Sequence, residues 1–104
     1  MVSEELKKEL ATGDATPDAV GRRLRLLRAS LGLTQAKMSA LMDASIKNYQ
    51  HMERGSTYPR PAHVKAMFES SRIDFNFIYY GDFTRLPLDV SDSMQAFLEQ
   101  RRSA

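Results

Sequence analysis

Residues 34–55 read TQAKMSALMDASIKNYQHMERG, and the order of residue types in them places two short helices in close succession. Thr34 caps the first, because its hydroxyl can accept from a free N–H of the opening turn. Met38, Leu41 and Met42 then recur at spacings of three and four, which makes one apolar stripe. Asp43-Ala44 supplies a turn and Ser45 a second cap. Tyr49 and Met52 are the apolar pair of the second helix, and Gly55 closes it. At about 100° per residue, Tyr49 and Met52 face a core while Lys47, His51 and Arg54 fall opposite. Ile46, Asn48 and Gln50 flank that exposed stripe.

Working outward, Thr16-Pro17-Asp18 gives a cap, a proline at the first helical position and an acid in the first turn. Val20, Leu24, Leu27 and Leu31 follow at helical spacing, and Gly32 ends the segment. Beyond the quoted stretch, Gly55 to Pro61 carries too many breakers to be regular. Val64, Met67 and Phe68 mark a fourth helix. Asp74 caps a fifth with Phe75, Ile78 and Tyr79, ended by Gly81. No long alternating run of β-branched residues predicts a strand. Upstream, Leu6 and Leu10 fit a short helix before a flexible join at residues 11–15. Downstream, Val90, Met94, Phe97 and Leu98 form an amphipathic pattern after a turn at residues 86–89. The expected organisation is a flexible or partly helical arm over residues 1–16, a five-helix core over 17–81, and a linker with a short additional helix over 82–104.

The 104 residues suffice for one domain. At 42% hydrophobic and 27% charged, the composition excludes a fully disordered chain. There is no cysteine, so disulfides, thiol nucleophiles and cysteine-ligated metals are excluded. No apolar run reaches the ~20 residues of a membrane span, and the first residues lack a signal-peptide core. A cytoplasmic setting, in a bacterial nucleoid or a phage-infected cell, is expected. The net charge is only +2, yet residues 17–61 hold eight basic and three acidic side chains. Positive charge is thus concentrated where a polyanion can meet it.

Two short helices joined by a tight turn after a basic helix form the helix-turn-helix pattern. The residues Arg23-Leu-Arg-Leu-Leu-Arg28, Leu31-Gly-Leu-Thr-Gln35 and Tyr49-Gln-His-Met-Glu-Arg-Gly55, followed by Pro59 and a hydrophobic helix ending in Tyr-Gly81, resemble the phage-repressor-like (Cro/repressor, xenobiotic-response-element) DNA-binding domains. The resemblance covers residues 18–81 and implies an all-α, five-helix lambda-repressor-like fold, here with the additional C-terminal helix. It departs from the family at Asp43, where glycine usually occupies the turn, and at Phe68, Ser71 and Arg72 around the fourth helix.

The resemblance implies a sequence-specific regulator of transcription that binds double-stranded DNA, a repressor acting as a homodimer on a near-palindromic operator. Its register makes Ile46, Lys47 and His51 the base-reading positions, with Asn48 placed for adenine or for a phosphate. His51 is open to a second reading as a plain surface residue. Gln35 is implied as a phosphate contact at a helix start, where free N–H groups favour an anion, with Thr34 and Ser45 assisting. Lys37 opposes the dipole of its helix, which a nearby phosphate would relieve; a tolerated surface charge is the other reading. Gln50, Arg54, Tyr58 and Arg60 complete the phosphate set. Arg28 is implied to pair with Glu53 as a structural lock, while Arg22, Arg23 and Arg25 are read as solvated or long-range attractors. Phe75, Phe77, Tyr79 and Tyr80, with Met94 and Phe97, offer more apolar surface than one small core buries and are the expected dimer contacts. Folding back of the last helix onto its own domain is the competing arrangement.

No enzyme is expected. His51 and His63 are the only histidines, neither sits in a metal-binding spacing, and no glycine-rich phosphate loop occurs; no cofactor and no metal are implied. An alternative function on the same fold is an antitoxin or protein-interaction module, with the residues after Gly81 binding a protein partner. With no room for a ligand-sensing domain, control is expected through concentration, dimerisation or such a partner.

Overall fold

A computed structural model describes residues 2–103, which hold seven α-helices and no strand. These are α1 (Glu4–Glu9), α2 (Pro17–Ser30), α3 (Gln35–Leu41), α4 (Ile46–Glu53), α5 (Pro61–Ser71), α6 (Phe75–Tyr80) and α7 (Leu88–Ser103). The starts follow local chemistry. Thr16, Thr34, Ser45 and Asp74 accept from the backbone N–H of Ala19, Lys37, Asn48 and Phe77 at 3.0–3.3 Å, and Ser3 does the same for Leu6. Each such cap satisfies one of the donors that a helix start leaves free.

The central element is α2, which packs against α4, α6 and α7. Its approach to α4 is close enough that a Cβ at Gly21 would lie 2.5 Å from the Glu53 carbonyl oxygen and 2.8 Å from that of Met52. Only glycine fits there. The turn between α3 and α4 places Asp43 at φ 52°, the left-handed region that the family's usual glycine serves; Asp tolerates it better than most side chains.

The core joins Leu24, Leu27, Met38, Tyr49, Met52, Met67, Ile73 and Ile78 with Leu6 and Leu10 from α1 and with Val90, Met94 and Leu98 from α7. At 16 residues α7 is the longest helix, where a short one was expected, and it folds back on its own domain. Arg101–Glu9 (3.2 Å) and Arg102–Glu5 (2.7 Å) tie its end to α1.

Two expectations are corrected by burial. Phe77 and Met94 are both fully buried inside the chain, so neither offers a surface to a second copy. Arg23, expected in solvent, is also fully buried. Its guanidinium donates to the carbonyls of Leu10 (2.8 Å), Ala11 (2.6 Å), Ile78 (3.3 Å) and Asp14. Burial pulls its pKa below the ordinary arginine value, against the opposing pull of Asp14. The fork of N–H groups stitches the end of α1, the join and α6 onto α2.

Candidate nucleic-acid interface

The site is built on α4, whose eight residues split cleanly by exposure. Tyr49, Met52 and Glu53 are buried, Ile46, Lys47 and Asn48 are exposed, and Gln50 and His51 are half-buried. The opening turn of α4 therefore projects an apolar branch, an ammonium and an amide from one patch. Side chains of these types distinguish bases by thymine-methyl contact, donation to guanine, and paired bonding to adenine.

Buried Glu53 anchors the opposite face. Arg28 grips its carboxylate with two N–H groups, Nε to Oε2 at 2.5 Å and Nη2 to Oε1 at 3.2 Å. The Tyr49 hydroxyl donates to Oε2 at 2.5 Å and Gln35 Nε2 to Oε1 at 3.3 Å. Burial pushes the Glu53 carboxyl up, but the bonds from Arg28, Tyr49 and Gln35 outweigh it and hold the group below the ordinary carboxylate value. The bond to Glu53 in turn raises Arg28, against the opposing effect of its own partial burial. Burial, with the Glu53 carboxylate beside it, pushes the Tyr49 hydroxyl well up. One carboxylate thus joins α2, α3 and α4.

Gln35 reaches further. Because Glu53 can only accept, Gln35 turns its amide nitrogen inward, and its oxygen receives Gln50 Nε2 at 3.0 Å. The structure brings Gln35, Gln50 and Glu53 together with Arg25 and Arg54 around a polar cleft of about 260 Å³. Arg54 donates to His51 Nδ1 at 2.8 Å. Arg25 donates to the Glu53 carbonyl at 3.4 Å.

The other expected contacts are more scattered. The hydroxyls of Thr34 and Ser45 serve as caps, and Lys37 stands exposed in the first turn of α3. Arg60 is exposed at the start of α5, where its N–H donates to His63 Nδ1 at 3.2 Å. Tyr58 does not hold its hydroxyl ready for a phosphate. That group donates to the Ala15 carbonyl at 2.6 Å, and the ring stacks on Tyr79 at 5.3 Å. Tyr79 stacks in turn on Phe75 at 4.4 Å and donates to the Pro59 carbonyl at 2.5 Å. Phe75 and Tyr80 remain 46% and 45% exposed, while Phe97 is half-buried.

Two features of this surface escaped the sequence reading. The Gln35–Gln50 amide contact joins residues 15 apart, and no local pattern encodes it. Arg25 belongs to the cleft, which its position one turn before Arg28 could have indicated. Among the described residues, no group of three His, Cys, Asp or Glu side chains could hold a metal ion, and no helix is long and apolar enough to cross a membrane. A family model described as a helix-turn-helix domain matches residues 19–70, half of the chain. No curated protein and no solved structure matches it.

Proposed function

Because the chain belongs to the helix-turn-helix domain family, we propose that it is a sequence-specific double-stranded DNA-binding repressor of transcription that acts as a homodimer on a near-palindromic operator. The observation that carries this reading is the division of α4. Its buried side is clamped to α2 and α3 through Glu53, and its exposed opening turn carries Ile46, Lys47 and Asn48 with His51 one turn on. A helix held this way can enter the major groove with its first residues at base edges. Gln50 and Arg54 beside it, with the second amide N–H of Gln35, serve the phosphate backbone, which supplies affinity and register. Occupation of a promoter by such a domain blocks transcription without any further activity.

The dimer reading rests on α6. One recognition helix reads one half-site, and tight specific binding takes two, about one helical turn of DNA apart. Exposed Phe75 and Tyr80, with half-buried Tyr79 beside exposed Tyr58, form the aromatic surface available for pairing.

Selection of bound duplexes from a random pool, followed by binding to single-base variants at fixed salt, tests the function. Lys47→Ala and His51→Ala are expected to relax base preference by about 1–3 kcal/mol at one position each. Gln35→Ala is expected to weaken all duplexes by similar factors. If Lys47→Ala weakens every duplex equally, the base-reading role is wrong.

A further inference from the structure

Arg22, Arg25 and Ala29 form an exposed or half-exposed stripe of α2, the helix that packs against both α4 and α7. Arg25 lines two separate clefts. On one side lies the polar cleft with Gln50 and Arg54. On the other lies a second cleft of about 230 Å³, walled by Phe97 and Arg101 of α7. The second cleft brings together three guanidinium groups, Arg22, Arg25 and Arg101, against a single carboxylate, Glu9.

Each guanidinium is positioned by an internal contact that leaves most of its donors unused. Arg22 Nη2 donates to the Glu9 carbonyl at 3.1 Å, Arg25 Nη1 to the Glu53 carbonyl at 3.4 Å, and Arg101 Nη2 pairs with the Glu9 carboxylate at 3.2 Å. The Phe97 ring supports Arg101 at 5.7 Å. An arginine carries five N–H donors, so each retains several for an outside anion. Such a row, lining an open groove that shares Arg25 with the polar cleft beside α4, fits a repeating polyanion better than a single small ligand.

We propose that this groove seats backbone phosphates of the duplex flanking the bases read by α4, with Arg22, Arg25 and Arg101 as the donors; the inference rests on the DNA-binding reading above. It gives α7 a part in DNA binding, as the wall that extends the footprint outward from the half-site. Glu9, the one acid lining this second cleft, opposes the phosphates.

The test uses the full chain and two duplexes: the selected site alone, and the same site extended by about one helical turn, about ten base pairs, at each end. The salt dependence of affinity is measured for each. Arg22→Gln with Arg101→Gln removes two phosphate contacts. On the extended duplex the log–log slope should become shallower by about 1.8, at about 0.9 per phosphate. Between 50 and 200 mM salt that slope change corresponds to a loss of affinity about twelvefold smaller than for the unaltered chain. On the short duplex the two proteins should share one slope. Glu9→Gln breaks the same ion pair with Arg101 but should tighten binding to the extended duplex alone, which separates a phosphate role from a structural one. Equal slopes on both duplexes with binding intact, or weaker extended-duplex binding by Glu9→Gln, overturn the groove. If the unaltered chain binds no duplex at all, the DNA-binding reading falls and the groove with it.

Discussion

Removing either partner of the Arg28–Glu53 pair is expected to cost stability, and removing both to cost less than the sum. Without Arg28 the carboxylate, 5% exposed in the intact chain, keeps only the Tyr49 and Gln35 donors. Breaking a buried pair costs about 3–5 kcal/mol, and the partial exposure of Arg28 places Arg28→Ala at the lower end, about 3 kcal/mol. Without Glu53 the guanidinium, 21% exposed, can turn to water and keeps its bond to the Leu33 carbonyl. The fully buried Tyr49 hydroxyl then loses its acceptor, so Glu53→Ala should cost about 2 kcal/mol. In the double variant the uncompensated charge is gone, and a total of about 3 kcal/mol implies a coupling of about 2 kcal/mol. Urea unfolding followed by circular dichroism gives each value, with the unfolding slope checked for constancy across the set. The pH dependence carries a sign of its own. Because the Glu53 carboxyl is depressed on folding from its ordinary 4.5, its stabilisation is present above that value and disappears as pH falls through the folded pKa. Arg28→Ala should flatten this acid limb. Additive single losses, with coupling below about 0.5 kcal/mol, would refute the lock and place Arg28 in solvent or on DNA.

Three further outcomes can be checked. Gly21→Ala drives a Cβ into the Glu53 and Met52 carbonyls, so α4 must move; a loss of about 2 kcal/mol should appear in thermal unfolding together with weakened operator binding, and an unchanged midpoint would deny the close approach. Arg23→Met withdraws the donor from four carbonyls at a cost of about 3 kcal/mol, which should lower the midpoint by more than about 10 °C; Arg23→Lys should recover only part of this, because an ammonium lacks the planar fork. Phe75→Glu on the exposed face of α6 should leave the fold intact and give a lighter species in sedimentation, and an unaltered chain that is already monomeric at tens of micromolar with operator present would rule out the dimer.

What could be read from the sequence was mostly what neighbours within four residues decide. Thr16, Thr34, Ser45 and Asp74 signal caps by residue type and are caps in the structure, because a cap needs only its own helix. The split of α4 into Tyr49 and Met52 against Lys47 followed from periodicity. Where the sequence misled, the deciding partner was distant. Arginines at 22, 23, 25 and 28 look alike, and which one is buried depends on what arrives over α2, here the carbonyls of residues 10, 11, 14 and 78. Periodicity did hold a signal, since Arg23 sits between Val20 and Leu27 on the apolar stripe, but the charge suggested solvent. In α6 the six residues Phe-Asn-Phe-Ile-Tyr-Tyr have almost no polar face to orient the wheel, so Phe77 and Phe75 could not be told apart. The core decided it.

The exposed stripe of α4 owes its order to contacts on the opposite, buried face. With eight residues, α4 is shorter than the about 12–15 that an isolated helix needs in water, so its geometry comes from what it packs against. Gly21 sets its distance from α2, while Glu53 ties it to α2 through Arg28 and to α3 through Gln35. A surface ordered beforehand loses little entropy on binding, and side chains held by a rigid helix discriminate better than side chains that must first be placed. Variants of Glu53 should therefore lose specificity as well as stability, although its carboxylate is turned away from the exposed stripe. In a domain this small the same buried carboxylate both holds the fold together and orients the residues proposed to read the bases.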